Sequence, residues 1–447
     1  MSRLFGTDGV RGIAGTELTA ELAMDIGISL AYILKRNNDN VKVIIGSDTR
    51  ISRDMLVSAL SAGLCSGGVE VINVGIIPTP AISFLVSEFQ VQAGVMVTAS
   101  HNPYEYNGIK IFNENGFKLD DNLEDEIQEI ISNINKLPKN NKVGRIIYDN
   151  RGVSLYIDHL LKTKGKELDF SKYRVAIDCS NGSSSVVAPT LFHKLGCKYT
   201  ILNNNYDGEN INKDCGSTHI EYLQKYVVDN KFDLGFAFDG DADRCLCVDE
   251  EGKIIDGDYI LAITSKYMKD NNRLNNNTVV GTVMSNLGFV KYCKENDINF
   301  ISTKVGDRYV LEEININNYN LGGEQSGHII FRDYASTGDG ELTAIQIMNV
   351  IASNNKSLSS LSKIMKKYPQ VMENVKVSNE RKNEFYTNSK IKKAIKEVEA
   401  KFKDDGRVLV RPSGTEPLIR VMIEGSEIET ITKSVKELAS KIKDILG

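Results

Sequence analysis

Residues 97–103 read Val-Thr-Ala-Ser-His-Asn-Pro, so Ser100 closes an apolar run with His101 beside it. The segment offers a hydroxyl nucleophile with no Ser-His-Asp triad around it. A serine lacking an evident base points to a phosphate carrier rather than a protease. Lys110 follows ten residues later in Asn107-Gly108-Ile109-Lys110 and could reach back as a base or a charge clamp.

Asp239-Gly240-Asp241-Ala242-Asp243-Arg244 carries three carboxylates at alternate positions. In a turning loop they can converge on one hard cation through oxygen ligands. Taken alone, such a run could equally be a solvated acidic turn. An EF-hand reading places Glu250 at the twelfth position, but Arg244 then takes the sixth, where the sharp turn needs glycine. Its flanks, 234–238 and 245–248, read as strands rather than helices. An arginine beside three carboxylates suggests a cation shared with a phosphate, which favours Mg2+.

Two further loops have anion and sugar chemistry. Arg411-Pro412-Ser413-Gly414-Thr415-Glu416-Pro417, followed by Arg420, combines two hydroxyls, backbone N–H groups freed by Gly414, and two guanidinium forks. Together they could wrap one phosphate; the alternative is a hairpin turn with a snorkelling arginine. Glu324, Ser326 and His328 alternate, so an extended loop would point them to one side, where they could hold vicinal sugar hydroxyls. Alone, His328 reads as an ordinary packed histidine. Phe5-Gly6-Thr7-Asp8-Gly9-Val10-Arg11-Gly12 sets three glycines around Arg11 but matches no nucleotide-binding fingerprint. The segment 48–53, Asp-Thr-Arg-Ile-Ser-Arg, reads as a structural turn.

The elements that must position these loops repeat. Apolar runs at 41–46, 175–178 and 279–282 each precede a helical stretch and a second apolar run, at 94–99, 234–238 and 319–322. Each second run opens into one of the polar loops. Such alternation indicates βαβ units on mixed or parallel sheets, with ligand groups on loops beyond strand ends. The last ~80 residues differ: a polar helix over 383–403, strands at 408–410 and 418–424, and a final amphipathic helix over 428–446 form a small α+β unit with one strand pair. Polar linkers at 137–142, 249–257 and 366–373 divide the chain into domains 1–140, 141–252, 253–368 and 369–447. At 447 residues, several domains are expected.

Composition narrows the function. The net charge of −5 argues against nucleic acid or a membrane surface as partner. No apolar stretch approaches the ~18 residues of a membrane span. The start of the chain lacks a signal-peptide core. Seven scattered cysteines fit reduced, structural thiols in a cytoplasmic setting, and the five histidines lack zinc-ligand spacing.

With these motifs in this order, the chain resembles the α-D-phosphohexomutase superfamily over essentially its whole length. The resemblance rests on the Ser100 loop, the Asp239–Asp243 loop, Gly323-Glu324-Gln325-Ser326-Gly327-His328 and the 411–417 loop. Cys215-Gly216-Ser217-Thr218-His219 and the 5–12 segment add to it. Ala242 departs from the glycine often found in the metal loop. The resemblance implies an α/β fold: three similar mixed α/β domains and a smaller C-terminal α+β domain around a central cleft. It implies a phosphorylated Ser100, with Mg2+ held by Asp239, Asp241, Asp243 and Ser100 itself. Arg11, His101, Lys110 and His328 become catalytic candidates. Arg244, Lys304, Gly306, Asp307, Glu324, Ser326, Arg411, Ser413, Gly414, Thr415 and Arg420 become substrate contacts. The expected reaction converts glucosamine 6-phosphate to glucosamine 1-phosphate through glucosamine 1,6-bisphosphate, with neutral hexose phosphates as the alternative. A phosphosugar is the expected partner; a homodimer and an activating kinase are the further partners it admits.

Overall fold

Three stretches of the chain fold by one scheme, visible in a computed structural model that describes residues 3–6, 8–36, 38–137, 141–403, 405–413 and 417–447. In each, a first strand pairs in parallel with a second and a third, and the third turns back into an antiparallel fourth. The first set is Lys42–Ser47 between Glu70–Ile76 and Ala93–Val97, with Tyr106–Asn113 returning. The second is Arg174–Asp178 between Lys198–Leu202 and Leu234–Phe238, with Cys245–Asp249 returning. The third is Thr278–Thr282 between Asn299–Thr303 and Leu321–Gly323, with Ile329–Phe331 returning. The Ser100, 239–244 and 324–328 loops are the turns between third and fourth strands.

The central strands read as continuous apolar runs because helices cover both faces of such sheets. Val43, Ile45, Val95, Val97 and Ile109 lie in one core cluster with Leu30, Leu60 and Leu64 from the flanking helices. At ~25 cal/mol per Å2 of apolar surface, this burial is the main force holding the strand ends, and hence the loops, in place.

By its internal contacts the chain forms two compact units, Met1–Met284 with Asp297–Ile364, and Ser285–Asn296 with Met365–Gly447. The helix Leu287–Glu295 therefore groups with the C-terminal unit. Asn286 caps it and also accepts a hydrogen bond from the Tyr368 backbone N–H at 2.9 Å.

The first sheet also takes up Ile146–Tyr148 as a sixth strand, parallel to Glu70–Ile76. The structure corrects two expectations. The C-terminal unit has a three-stranded sheet rather than a strand pair: Gln370–Lys376 and Gly406–Pro412 flank Leu418–Gly425. The first of these lies partly in the expected linker and reads as polar because it is an edge strand with only Val375 fully buried. The helix expected over 383–403 is two, Glu384–Thr387 and Ser389–Lys401, because Asn388 stops the first and caps the second through Lys390 and Ile391 N–H groups. The last helix, Ile428–Leu446, packs Ile431, Val435, Leu438 and Ile442 into the C-terminal core. Among the described residues no helix is long and apolar enough to cross a membrane.

Candidate functional site

Ser100 sits in the left-handed backbone region at φ +53°. That conformation is unfavourable for a residue with a side chain and needs support from its surroundings. Arg50 provides it. The guanidinium is fully buried, pairs with Asp48 at 3.0 Å, and donates to the carbonyls of Ser100 at 3.0 Å, Asn102 at 2.8 Å and Pro103. Asn212 donates to the Ser100 and Asn102 carbonyls from the second sheet's side at 2.9 and 3.1 Å. The 48–53 turn thus carries the serine loop.

The Ser100 hydroxyl donates to Asp239 Oδ2 at 2.6 Å, and His101 Nδ1 lies 3.3 Å from it. Burial, with Arg244 and Arg11 nearby, pushes the His101 imidazole down to about 4, so the ring is neutral near pH 7. Asp239, Asp241 and Asp243 are buried and bring ligand oxygens within 4.8 Å of one another. Burial, then Asp243 and Asp241, drives Asp239 well above the usual carboxylate range. Asp241 Oδ1 and Asp243 Oδ1 are buried without a hydrogen-bond partner. Hard oxygen donors, crowded and unsatisfied, fit a divalent metal cation. Ala242 lies at φ +55°, which accounts for the glycine it replaces in the resembling motif.

Lys110 does reach this cluster. Its ammonium lies 2.8 Å from Asp241 Oδ2 and 3.2 Å from Asp243 Oδ2 and Asp8 Oδ2. Burial opposes its charge, but Asp241, Asp8 and Asp243 outweigh that and hold it well above the usual lysine range. Lys110 is therefore a fixed cation rather than a poised base. Arg11 pairs with Asp8. Arg244 donates its backbone N–H to Asp239 Oδ1 at 3.2 Å and holds its Nε 3.8 Å from Asp243 Oδ1.

The sugar loop differs from its expected geometry. Residues 324–327 form a tight turn, with the Gly327 N–H donating to the Glu324 carbonyl at 3.0 Å, so Glu324, Ser326 and His328 do not alternate along extended backbone. Gly327 permits the turn: φ is +92°, and a Cβ there would meet the Cys245 carbonyl oxygen at 2.4 Å. Glu324 and Ser326 are partly exposed, whereas His328 is buried with its ring against Gly338. Glu324 Oε1 accepts from Gly306 N–H at 2.9 Å, and Asp307 begins the helix Asp307–Asn317. Lys304 lies over the Tyr309 ring. Asp307 Oδ2 is 3.6 Å from His328 Nε2.

In the C-terminal unit, Arg411 and Arg420 are direct cross-strand partners. Burial and Arg420 together lower the Arg411 guanidinium below its usual value. Two like charges in that position repel unless an anion joins them. Ser413 is buried nearby, its N–H donating to the Leu418 carbonyl at 2.9 Å. Gly414 and Thr415 lie outside the described residues.

The sequence reading missed Asp8 and Lys118 and took Arg50 only as part of a turn. Lys118 bridges Asp8 and Asp307. The one available signal was a lysine set between Phe117 and Leu119 just after a glycine turn.

Comparison with known proteins defines the class. Phosphoglucomutase/phosphomannomutase α/β/α domains I, II and III match residues 2–138, 154–252 and 256–368, and the C-terminal domain of that family matches 372–441. The chain belongs to this family. Within it, the chain is 52% identical over 452 residues to the phosphoglucosamine mutase of Acetivibrio thermocellus, covering 100% of both. It is 51% identical over 446 residues to that of Clostridium perfringens strain SM101, covering 99% of both. A phosphoglucomutase/phosphomannomutase family protein of Burkholderia thailandensis shares the fold with a TM-score of 0.82 at 23% identity, over 99% of this chain and 98% of that one. Aspergillus fumigatus N-acetylphosphoglucosamine mutase, solved with GlcNAc-6P and magnesium, does so at 0.70 and 16%, over 99% and 96%.

Proposed function

We propose that this chain interconverts glucosamine 6-phosphate and glucosamine 1-phosphate by way of a phosphorylated Ser100. The observation that carries the reading is the Ser100 hydroxyl, 2.6 Å from Asp239 at the head of a buried three-carboxylate cluster. The amino-sugar preference is supported by full-length identity of about half to enzymes named for that reaction.

Phosphorylation gives Ser100 a charge of about −1.5 to −2 beside three carboxylates. Asp239, Asp241 and Asp243, with a phosphoserine oxygen at Ser100, would hold Mg2+, which supplies charge neutralisation and polarisation of the phosphoryl group. Lys110 and Arg244 add fixed positive charge at the same oxygens. The phosphoryl group leaves Ser100 Oγ as the sugar O1 attacks: the P–O1 bond forms, the P–Oγ bond breaks, O1 gives up its proton and Oγ takes one up. The product is glucosamine 1,6-bisphosphate; any such hexose bisphosphate would prime the serine. After the bisphosphate turns end for end, Ser100 Oγ attacks its 6-phosphoryl group, the P–Oγ bond forms, the P–O6 bond breaks, and the serine proton is replaced by one delivered to O6. The neutral His101 ring, 3.3 Å from Oγ, is assigned to take up the serine proton. Glu324 and Ser326 offer oxygens to sugar hydroxyls. Arg411, Ser413, Thr415 and Arg420 are assigned the phosphate that is not reacting. One anion site must then serve both phosphates in turn.

A coupled assay on glucosamine, glucose and mannose 6-phosphates tests the reading. The highest kcat/KM is expected on the amino sugar, and a higher value on mannose 6-phosphate would replace it with the neutral-hexose alternative.

A further inference from the structure

Charges alternate from the metal loop toward the sugar loop through Asp8, Lys118 and Asp307, which the mechanism above leaves idle. Asp241 and Asp243 hold Lys110; Lys110 lies 3.2 Å from Asp8; Asp8 pairs with Lys118; Lys118 pairs with Asp307; and Asp307 lies 3.6 Å from His328. These groups come from five separate segments of the chain. The Lys118 side chain is 13% exposed and belongs to no motif.

Lys110 is contested in this row. On one side stand Asp241 and Asp243; on the other stands Asp8, at the same distance as Asp243. Attraction between charges this close and this buried is strong, so a modest change at one competitor moves the balance. Lys118 occupies Asp8 Oδ1 while Arg11 shares Oδ2 with Lys110, and both weaken the hold of Asp8 on Lys110. Asp307 in turn draws Lys118 away from Asp8. A cation in the metal loop draws on the same two carboxylates as the Lys110 ammonium, which takes their Oδ2 atoms and leaves the Oδ1 atoms unsatisfied, so the two positive charges compete.

We infer that Lys118 is a positioning residue which, by occupying Asp8, keeps Lys110 on the metal-loop carboxylates and so moderates their affinity for a divalent cation. The inference rests on the reading of Asp239, Asp241 and Asp243 as a cation site. It gives a sign that a loosened fold would not: removing Lys118 should tighten metal binding while slowing turnover. Lys110 would shift toward Asp8, leaving the two carboxylates less neutralised and so more attractive to the metal, but withdrawing positive charge from the transferring phosphoryl group.

The test is titration of the full-length, dephosphorylated protein with Mg2+ in a calorimeter, alongside turnover. For Lys118→Met, Kd for Mg2+ should fall about 3- to 10-fold and kcat should fall by at least about 10-fold. Lys118→Arg, which keeps the charge, should stay within about 2-fold of wild type in Kd. Asp307→Asn frees Lys118 for Asp8 and should weaken Mg2+ binding about 3-fold. Arg308 neighbours Asp307 but pairs with Asp121 at 2.6 Å, outside the row. Arg308→Met should therefore leave Kd unchanged, which separates contact along the row from a general change in charge.

Unchanged or weaker Mg2+ binding in folded Lys118→Met overturns the inference, as does equal tightening in Arg308→Met. Should Lys118→Met not fold, Asp307→Asn decides: binding as tight as wild type, or tighter, overturns it. Wild-type protein that takes up no Mg2+ overturns the metal-site reading and the inference together, whereas wild-type binding with a flat Lys118→Met response overturns the inference alone.

Discussion

Ser100 Oγ donates a 2.6 Å hydrogen bond to Asp239 Oδ2 across 139 residues of sequence, joining the turn of the first sheet to the turn of the second. The contact places the hydroxyl where a phosphoryl group on it would meet the carboxylate cluster. Ser100→Ala should reduce turnover by at least about 10³-fold while sugar-phosphate binding, read by calorimetry, stays near wild type. Full turnover in this variant would contradict a phosphoserine mechanism.

Arg50 holds that turn by donating to three of its carbonyls while paired with Asp48 at 3.0 Å. Arg50→Met leaves the buried Asp48 carboxylate without its counter-ion and takes one donor from each of three carbonyls, so unfolding by denaturant should show a loss of about 3–5 kcal/mol. Lysine cannot reproduce the planar fork, and Arg50→Lys should recover only part of it. A loss below about 1 kcal/mol in Arg50→Met would mean the loop is held by other contacts.

Gly327→Ala should cost about 2–4 kcal/mol, since φ is +92° and the new methyl would meet the Cys245 carbonyl oxygen at 2.4 Å. Because the same turn presents Glu324 and Ser326, KM for the sugar phosphate should rise as well. A variant with wild-type stability and KM would show that the turn does not set the sugar contacts.

Asp339 gives a pH signature. It caps the helix Gly340–Asn354 and accepts from Tyr156 at 2.8 Å, and burial raises its carboxyl to about 7 despite those hydrogen bonds. Tyr156, Glu341 and Asp243 are the titratable groups that face it. With the folded value above the unfolded one, the protonated form favours folding, and that contribution is lost as pH rises from about 4 to about 7. Asp339→Asn removes the titration. Its stability relative to wild type should therefore improve across that window, by an amount on the order of 4 kcal/mol. Parallel stability–pH curves for the two proteins would contradict the raised value.

Arg411 and Arg420 face each other across a strand pair. Removing one relieves repulsion in the free protein but dismantles an anion site. Arg411→Ala should keep or gain thermal stability while KM rises about 10- to 100-fold with a smaller change in kcat. An unchanged KM would leave the pair without a phosphate role.

Much of this was legible in the sequence, for identifiable reasons. Strands buried on both faces, such as Lys42–Ser47 and Leu234–Phe238, announce themselves as apolar runs, and the loops they feed follow from their order. Gln370–Lys376 escaped because an edge strand with one fully buried residue carries no such pattern. The 324–328 alternation misled because a glycine in left-handed conformation closed the turn. The Asp8–Lys118–Asp307 pairing had no pattern at all: it joins residues 110 and 189 positions apart, through side chains that in sequence look like ordinary surface charges.

Intact-mass analysis of rapidly quenched protein tests the central claim most directly. Protein first treated with glucose 1,6-bisphosphate should carry one added phosphoryl group, mapped to Ser100. Mixing with glucosamine 6-phosphate should remove that group and regenerate it within the turnover time. A protein that turns over substrate while Ser100 stays unmodified throughout would contradict the account.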